Sequence, residues 1–180
     1  MSDLTDTEVK IIAALQENPR MSVSELATMS NVSRPTVNKI LASLFGDNKM
    51  LFSSGINAKT YKCKVANVGV NVTTPESRSK VIEILGKCPK VLNIYRTAAQ
   101  ANLLVTLFGE NEESITSTVN CINDIEEVEV KYSHHLGTPL KNMAIPIRTG
   151  DNSQTPCGRS CFECASHKNE WCSGCFSFNK

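Results

Sequence analysis

The 180-residue chain is 41% apolar and 21% charged, with a formal net charge of +1. That composition supports ordinary packed cores and excludes global disorder. A near-neutral balance neither demands nor forbids nucleic acid, because such binding follows the local charge of one face. No apolar run approaches the ~20 residues of a bilayer crossing. The opening MSDLTDTEVK lacks the basic-then-apolar pattern of a secretory signal. The expectation is a soluble, cytoplasmic protein without a membrane partner, whose eight cysteines are mostly reduced. No Ser/His/Asp constellation, phosphate loop or paired-carboxylate motif stands out, so no enzyme is expected.

The predicted elements begin with three helices in residues 1–52. Thr5 with Glu8 and Ser22 with Glu25 are capping boxes, in which side chains satisfy the orphan amides of a helix start. Leu4, Ile11, Ile12 and Leu15 supply the first apolar face, and Asn18-Pro19 ends that helix. Leu26 and Met29 are the expected buried residues of the second. The third opens at Ser33, with Val37, Ile40, Leu41 and Leu44 at helical spacing. Between the second and third lies Ala27-Thr28-Met29-Ser30-Asn31-Val32-Ser33. A small residue lets two helices approach. Asn tolerates the positive φ of a tight turn, Val32 anchors the turn, and Ser33 caps the next helix. This is the pattern of a helix-turn-helix.

Residues 53–64 read as wing or linker, with Met50–Phe52 and Tyr61–Val65 as a short ribbon. Residues 65–140 alternate: strand Lys64–Val72, helix Pro75–Cys88, strand Val91–Thr97, strand Asn102–Phe108, helix Glu112–Asn123, strand Val128–Ser133. Val81, Leu85 and Cys88 line one helix, and Ile115, Val119 and Ile122 line the other. The order βαββαβ predicts an antiparallel sheet with both helices on one side, a ferredoxin-like layout. The fold class expected is thus α+β. Of His134 and His135, adjacent on a strand, one is expected half-buried and the other exposed. Cys63, Cys88 and Cys121 are isolated, and the two on helix faces read as small core residues.

Residues 141–156 read as linker, and residues 157–180 as a cysteine-rich tail stabilised by metal. The tail holds Cys157, Cys161, Cys164, Cys172 and Cys175. Cys161/Cys164 and Cys172/Cys175 are CxxC pairs, each able to bring two thiolates to one ion from a tight turn. A segment this short has almost no core, so a metal would supply its folding energy. Zinc is the first expectation. A 4Fe–4S cluster is the alternative, because Cys157-x3-Cys161-x2-Cys164 has iron–sulfur spacing. Five cysteines and His167 exceed four ligands, and spacing leaves the choice of four open.

The stretch LTDTEVKIIAALQENPRMSVSELATMSNVSRPTVNKILASL closely resembles the N-terminal domain of Lrp/AsnC transcription regulators. The shared features are Leu4, Asp6, Ile11-Ile12, Leu15-Gln16, Arg20, Glu25-Leu26-Ala27, Ser33, Val37 and Leu44. The βαββαβ region is similar to that family's effector and dimerisation domain. The resemblance implies a sequence-specific regulator binding double-stranded DNA as a homodimer, or a higher homo-oligomer, paired through its sheets. The cysteine tail resembles extensions of some archaeal regulators, which implies an archaeal source. The sequence departs from the family where Asn31 and Asn48 replace glycines. It departs again in TAAQANLLV (Thr97–Val105), which lacks the Gly and Asp usual beside an amino-acid effector. Amino-acid sensing of the usual kind is not expected.

In this reading the third helix enters the major groove with Ser33, Arg34, Thr36, Asn38 and Lys39 on its early turns. Arg34 is matched to guanine and Asn38 to adenine; Ser33 and Thr36 are suited to phosphates or base edges, while Arg20 and Lys59 clamp the backbone. Metal or redox state at the tail is expected to tune the DNA affinity. The alternatives are an architectural DNA-binding protein with a purely structural zinc knob, or an iron–sulfur redox sensor.

Overall fold

The computed structural model describes residues 4–146, 160–171 and 174. They fall into two compact units, Met1–Ser53 and Ser54–Lys180. The first unit is three helices, α1 (Asp6–Glu17), α2 (Val23–Ser30) and α3 (Arg34–Gly46). Both capping boxes form: Thr5 and Ser22 accept from the backbones of Glu8 and Glu25, whose carboxylates accept from the cap residues in return. Ile11, Leu15, Leu26, Val37, Leu44 and Met50 close the core. Met29, expected inside, is 46% exposed. The buried edge of α2 runs through Leu26, Ala27 and Ser30 instead, on the other flank of Leu26. The Ser30 hydroxyl is tolerated there because it donates to the Leu26 carbonyl.

Asn31 ends α2 in the left-handed region, at φ 54° and ψ 44°. Its N–H, and that of Val32 at 3.1 Å, close on the Ala27 carbonyl. Asn48 adopts φ 53° beyond α3, where the Met50 N–H returns to the Leu44 carbonyl at 2.9 Å. Left-handed backbone is costly for most L-residues and mild for Asn. Both asparagines therefore stand where the backbone needs them.

In the second unit, β1 (Ile56–Asn57) precedes β2 (Lys64–Val72), α4 (Pro75–Lys87), β3 (Val91–Arg96), β4 (Leu103–Gly109), α5 (Glu112–Asn123), β5 (Val128–Gly137) and β6 (Ala144–Ile145). The four long strands form an antiparallel sheet in the order β3-β4-β2-β5, with Val68 opposite Val105 and Ser133. One face carries Ala66, Val68, Val70, Leu103, Val105 and Leu107 against Val81 and Leu85 of α4 and Ile115 and Ile122 of α5. This is the ferredoxin-like layout. On the other face the Tyr132 ring lies directly on Gly69, where a Cβ would come within 2.3 Å of it. His134 stacks on Tyr132 at 4.9 Å between centroids. Asn102 closes the β3–β4 loop: its carboxamide accepts from the Val72 N–H at 3.0 Å and donates to the Val72 carbonyl at 2.8 Å.

Two sequence expectations are corrected, on the ribbon and on the paired histidines. Met50–Phe52 does not pair with Tyr61–Val65; the short ribbon is β1 with β6, Ile56 opposite Ile145. Residues read as linker thus supply a strand, and Gly55 is required beside it because a Cβ there would lie 2.0 Å from the Ile145 oxygen. His134 and His135 are both exposed, because β5 is an edge strand; His135 reaches out to the Glu112 carboxylate. Of the two helix-face cysteines Cys88 packs against the core of the second unit, half-buried, while Cys121 is half-buried without a place in that cluster; Cys63 is buried.

A buried charge joins β3 to α5. The Lys90 side chain is 4% exposed, and its ammonium donates to both Glu110 oxygens, at 2.7 and 2.6 Å, and to Ser114 Oγ at 3.2 Å. Burial pushes the Glu110 carboxyl up, but the Lys90 charge and the Lys90 and Ser114 hydrogen bonds outweigh it and bring it down to about 2. A depressed carboxylate stabilises the fold above its unfolded pKa, and that stability is lost as pH falls through the folded value. Urea unfolding should therefore show stability falling as pH drops from the ordinary carboxylate range toward 2. The Glu110→Gln variant should lack that part of the decline and be weaker at neutral pH, since it strands a buried ammonium.

Candidate nucleic-acid interface

A helix that reads DNA must be pinned on one side and bare on the other. Val37 and Leu44 are fully buried and Ile40 and Leu41 partly so, which fixes one face of α3 into the unit. Arg34, Thr36, Asn38 and Lys39 are exposed. At helical spacing, Asn38 and Lys39 stand with Pro35 and Ala42 on the outward face, while Arg34 and Thr36 border it. Ser33 caps α3: its Oγ accepts from the Thr36 N–H at 3.3 Å and meets Thr36 Oγ1 at 2.8 Å.

The electrostatics of this face favour an anion. No acidic residue occurs between Glu25 and Asp47, a window that holds Arg34 and Lys39. The start of α3 adds the positive end of the helix dipole. The flanking carboxylates are engaged elsewhere. The Ser22 hydroxyl first, and its backbone second, hold Glu25 below the usual carboxylate range. Asp47, at the far end of α3, is held low by Ser43 first and Lys49 second.

The structure brings Ser33, Arg34, Thr36, Asn38 and Lys39 together on α3. Arg20 is exposed on the α1–α2 connection, where its N–H donates to Asn18 Oδ1 at 3.1 Å. Lys59 belongs to the second unit, exposed on the turn after β1. Arg34 also lines a shallow groove with Ser24, Thr28, Asn31 and Ser33. Ser24 and Thr28 escaped the sequence reading. Their four-residue spacing places them on one α2 face, but only the bend shows that this face adjoins Arg34.

In the cysteine segment, Cys161 is buried and Cys164 half-buried, at the two ends of one tight turn. Cys157, Cys172 and Cys175 lie outside the described residues.

Residues 4–44 match a family model described as winged helix-turn-helix DNA-binding. The HTH-type transcriptional regulator LysM of Sulfurisphaera tokodaii is 23% identical over 131 residues, 71% of this chain and 91% of the relative. The HTH-type transcriptional regulator LrpA1 of Halobacterium salinarum is 24% identical over 116 residues, 63% of this chain and 81% of that one. The crystal structure of the Mycobacterium tuberculosis leucine response regulatory protein LrpA superposes with a TM-score of 0.68 at 18% identity, covering 79% of this chain and all of that one. The fold is that of the Lrp/AsnC regulators. E. coli AsnC gives a TM-score of 0.62 at 17% identity, covering 79% of this chain and 99% of its own. In this chain the helix-turn-helix precedes an α+β unit. No helix among the described residues is long and apolar enough to cross a membrane.

Ser33 has a structural duty that can be separated from any contact with DNA. Ser33→Ala should lower the thermal stability of the first unit by about 1 kcal/mol, the usual worth of such a cap. Ser33→Asp should restore stability, because Asp caps as well as Ser, while placing a negative charge on the face proposed for DNA. Differential scanning calorimetry paired with DNA titration checks both.

Proposed function

We propose that the chain is a DNA-binding transcription regulator of Lrp/AsnC type that inserts α3 into the major groove. The observation that carries this reading is the exposed, acid-free face of α3 beyond a left-handed bend. Arg34 is suited to the two acceptors of guanine and Asn38 to the donor–acceptor pair of adenine. Ser33, Thr36 and Lys39 are suited to phosphates, with Arg20 on the same unit adding a further cation. Lys59 is assigned to the DNA backbone because it lies in the segment read as the wing.

The reading includes a homodimer. Two copies would pair through the sheet face opposite the helices, where Tyr95 is 50% exposed and Tyr132 lies flat on Gly69. It also includes a metal, zinc before an iron–sulfur cluster, on the C-terminal cysteines. Occupancy there would tune DNA affinity. Two CxxC pairs in so short a segment support that part.

The test is fluorescence anisotropy with a duplex from the protein's own promoter, across a salt series, before and after chelation. The Arg34→Ala/Lys39→Ala double variant should bind on the order of 30-fold more weakly, with a salt slope smaller by about 1 from the lost Lys39 phosphate contact. Chelation should change the affinity of the unaltered protein. Undiminished binding by a folded double variant would refute the recognition face. Binding indifferent to chelation would refute control by metal.

A further inference from the structure

A helix that reads base edges must sit as deep in the groove as its short reading side chains require. We infer that Pro35 and Ala42, on either side of Asn38 along α3, recognise thymine through its methyl group. This rests on the reading above that α3 enters the major groove, and it names a base feature and the residues that meet it.

The geometry begins with the buried stripe. Val37 and Leu44 fix the inward direction of α3, with Ile40 and Leu41 partly buried beside them. At about 100° per residue, the positions furthest from that stripe are Pro35, Lys39, Ala42 and Gly46. All four are exposed, and nothing lies within 4 Å of where a Cβ on Gly46 would stand. Three of the four are compact. The fourth, Lys39, has a flexible stem that swings its charge aside to a phosphate.

That shape matters because the fit is tight. The major groove is ~12 Å wide, and a helix with its side chains is ~10–12 Å across. Long, stiff side chains at the outermost positions would hold α3 away from the bases. Depth is needed because the Asn38 carboxamide is a short arm. It meets the donor–acceptor pair of adenine only when the helix backbone comes close to the base edges. At that depth Ala42, one turn beyond Asn38, and Pro35, one turn before it, also press on the groove floor. Neither side chain carries a polar atom. Against an amino or carbonyl edge they would displace water and return no hydrogen bond. The thymine methyl is the apolar group that a base pair presents there, and it suits both.

The helix also sets the spacing. Ala42 lies about 6 Å along the axis beyond Asn38, and Pro35 about 4.5 Å before it. Base pairs rise ~3.4 Å each. With the axis along the groove, each methyl falls within about two base pairs of the adenine that Asn38 meets, one on either side. Charge favours a duplex as the occupant of this face. Arg34 and Lys39 accompany the apolar groups, and no acidic residue occurs between Glu25 and Asp47.

Deoxyuridine in place of thymidine removes the methyl and leaves base pairing unaltered. The test measures the full-length protein by fluorescence anisotropy on its promoter duplex, with the thymines of the footprint replaced one at a time. Replacement at two positions per recognition helix should each lower affinity about fourfold, the worth of one buried methyl. Ala42→Gly should bind the thymine and uracil duplexes equally at one of these positions, and Pro35→Gly at the other. Each ratio is taken within one variant, so a general loss of affinity or of helix stability cancels, and circular dichroism shows that each variant is folded. An unaltered protein indifferent to uracil throughout the footprint overturns the inference while leaving DNA binding intact. Discrimination that persists at both positions in Ala42→Gly, or in Pro35→Gly, overturns the role given to that residue. A folded, unaltered chain that binds no promoter duplex overturns the reading beneath it.

Discussion

The first unit depends on one backbone constraint, the left-handed conformation of Asn31. A right-handed residue there would let α2 run on, and α3 would lose its angle to it. Four features share the task. Ala27 is small enough to be buried at the approach of the two helices, and its carbonyl takes the N–H groups of Asn31 and Val32. Val32 packs against the core, and Ser33 restarts the helix at once. Once α3 is held at this angle, burying Val37 and Leu44 leaves Asn38 and Lys39 facing out. Exposure of the polar face is therefore a consequence of the bend and of the apolar stripe together.

Local signals were legible in the sequence. The capping boxes, Asn31 at positive φ and the strand–helix order of the second unit all rest on residues close in the chain. What escaped depends on distant partners. β1 pairs with β6 across the whole second unit, and two residues on each side carry too little periodicity to announce a strand. Met29 was misplaced because an eight-residue helix offers two candidate stripes, and the neighbouring helix decides which is buried. Nothing near Lys90 in the chain signals its burial, which comes from Glu110 and Ser114 closing over it. Of the candidate interface, the five positions on α3 were legible from helical spacing. The contribution of Ser24 and Thr28 was not, because it needs the bend in three dimensions.

The two ends of the chain differ in the apolar residues available to order them. The helix-turn-helix orders itself with caps and a small apolar core. The tail has a four-residue helix and no comparable apolar cluster among the described residues. Under the proposal, bound metal would stand in for a core there, and folding of the tail would follow metal supply. The proposed regulator would then have a physical route from metal availability to shape.

The central claim is that α3, set by the Asn31 bend, lies against duplex DNA. Photo-cross-linking tests it most directly, with a photoreactive side chain at Asn38 on α3 or at the exposed Ala13 on α1. The account predicts that the probe at position 38 cross-links to promoter duplex and the probe at 13 does not. Cross-linking from 13 with none from 38, in variants that retain DNA binding, would contradict it.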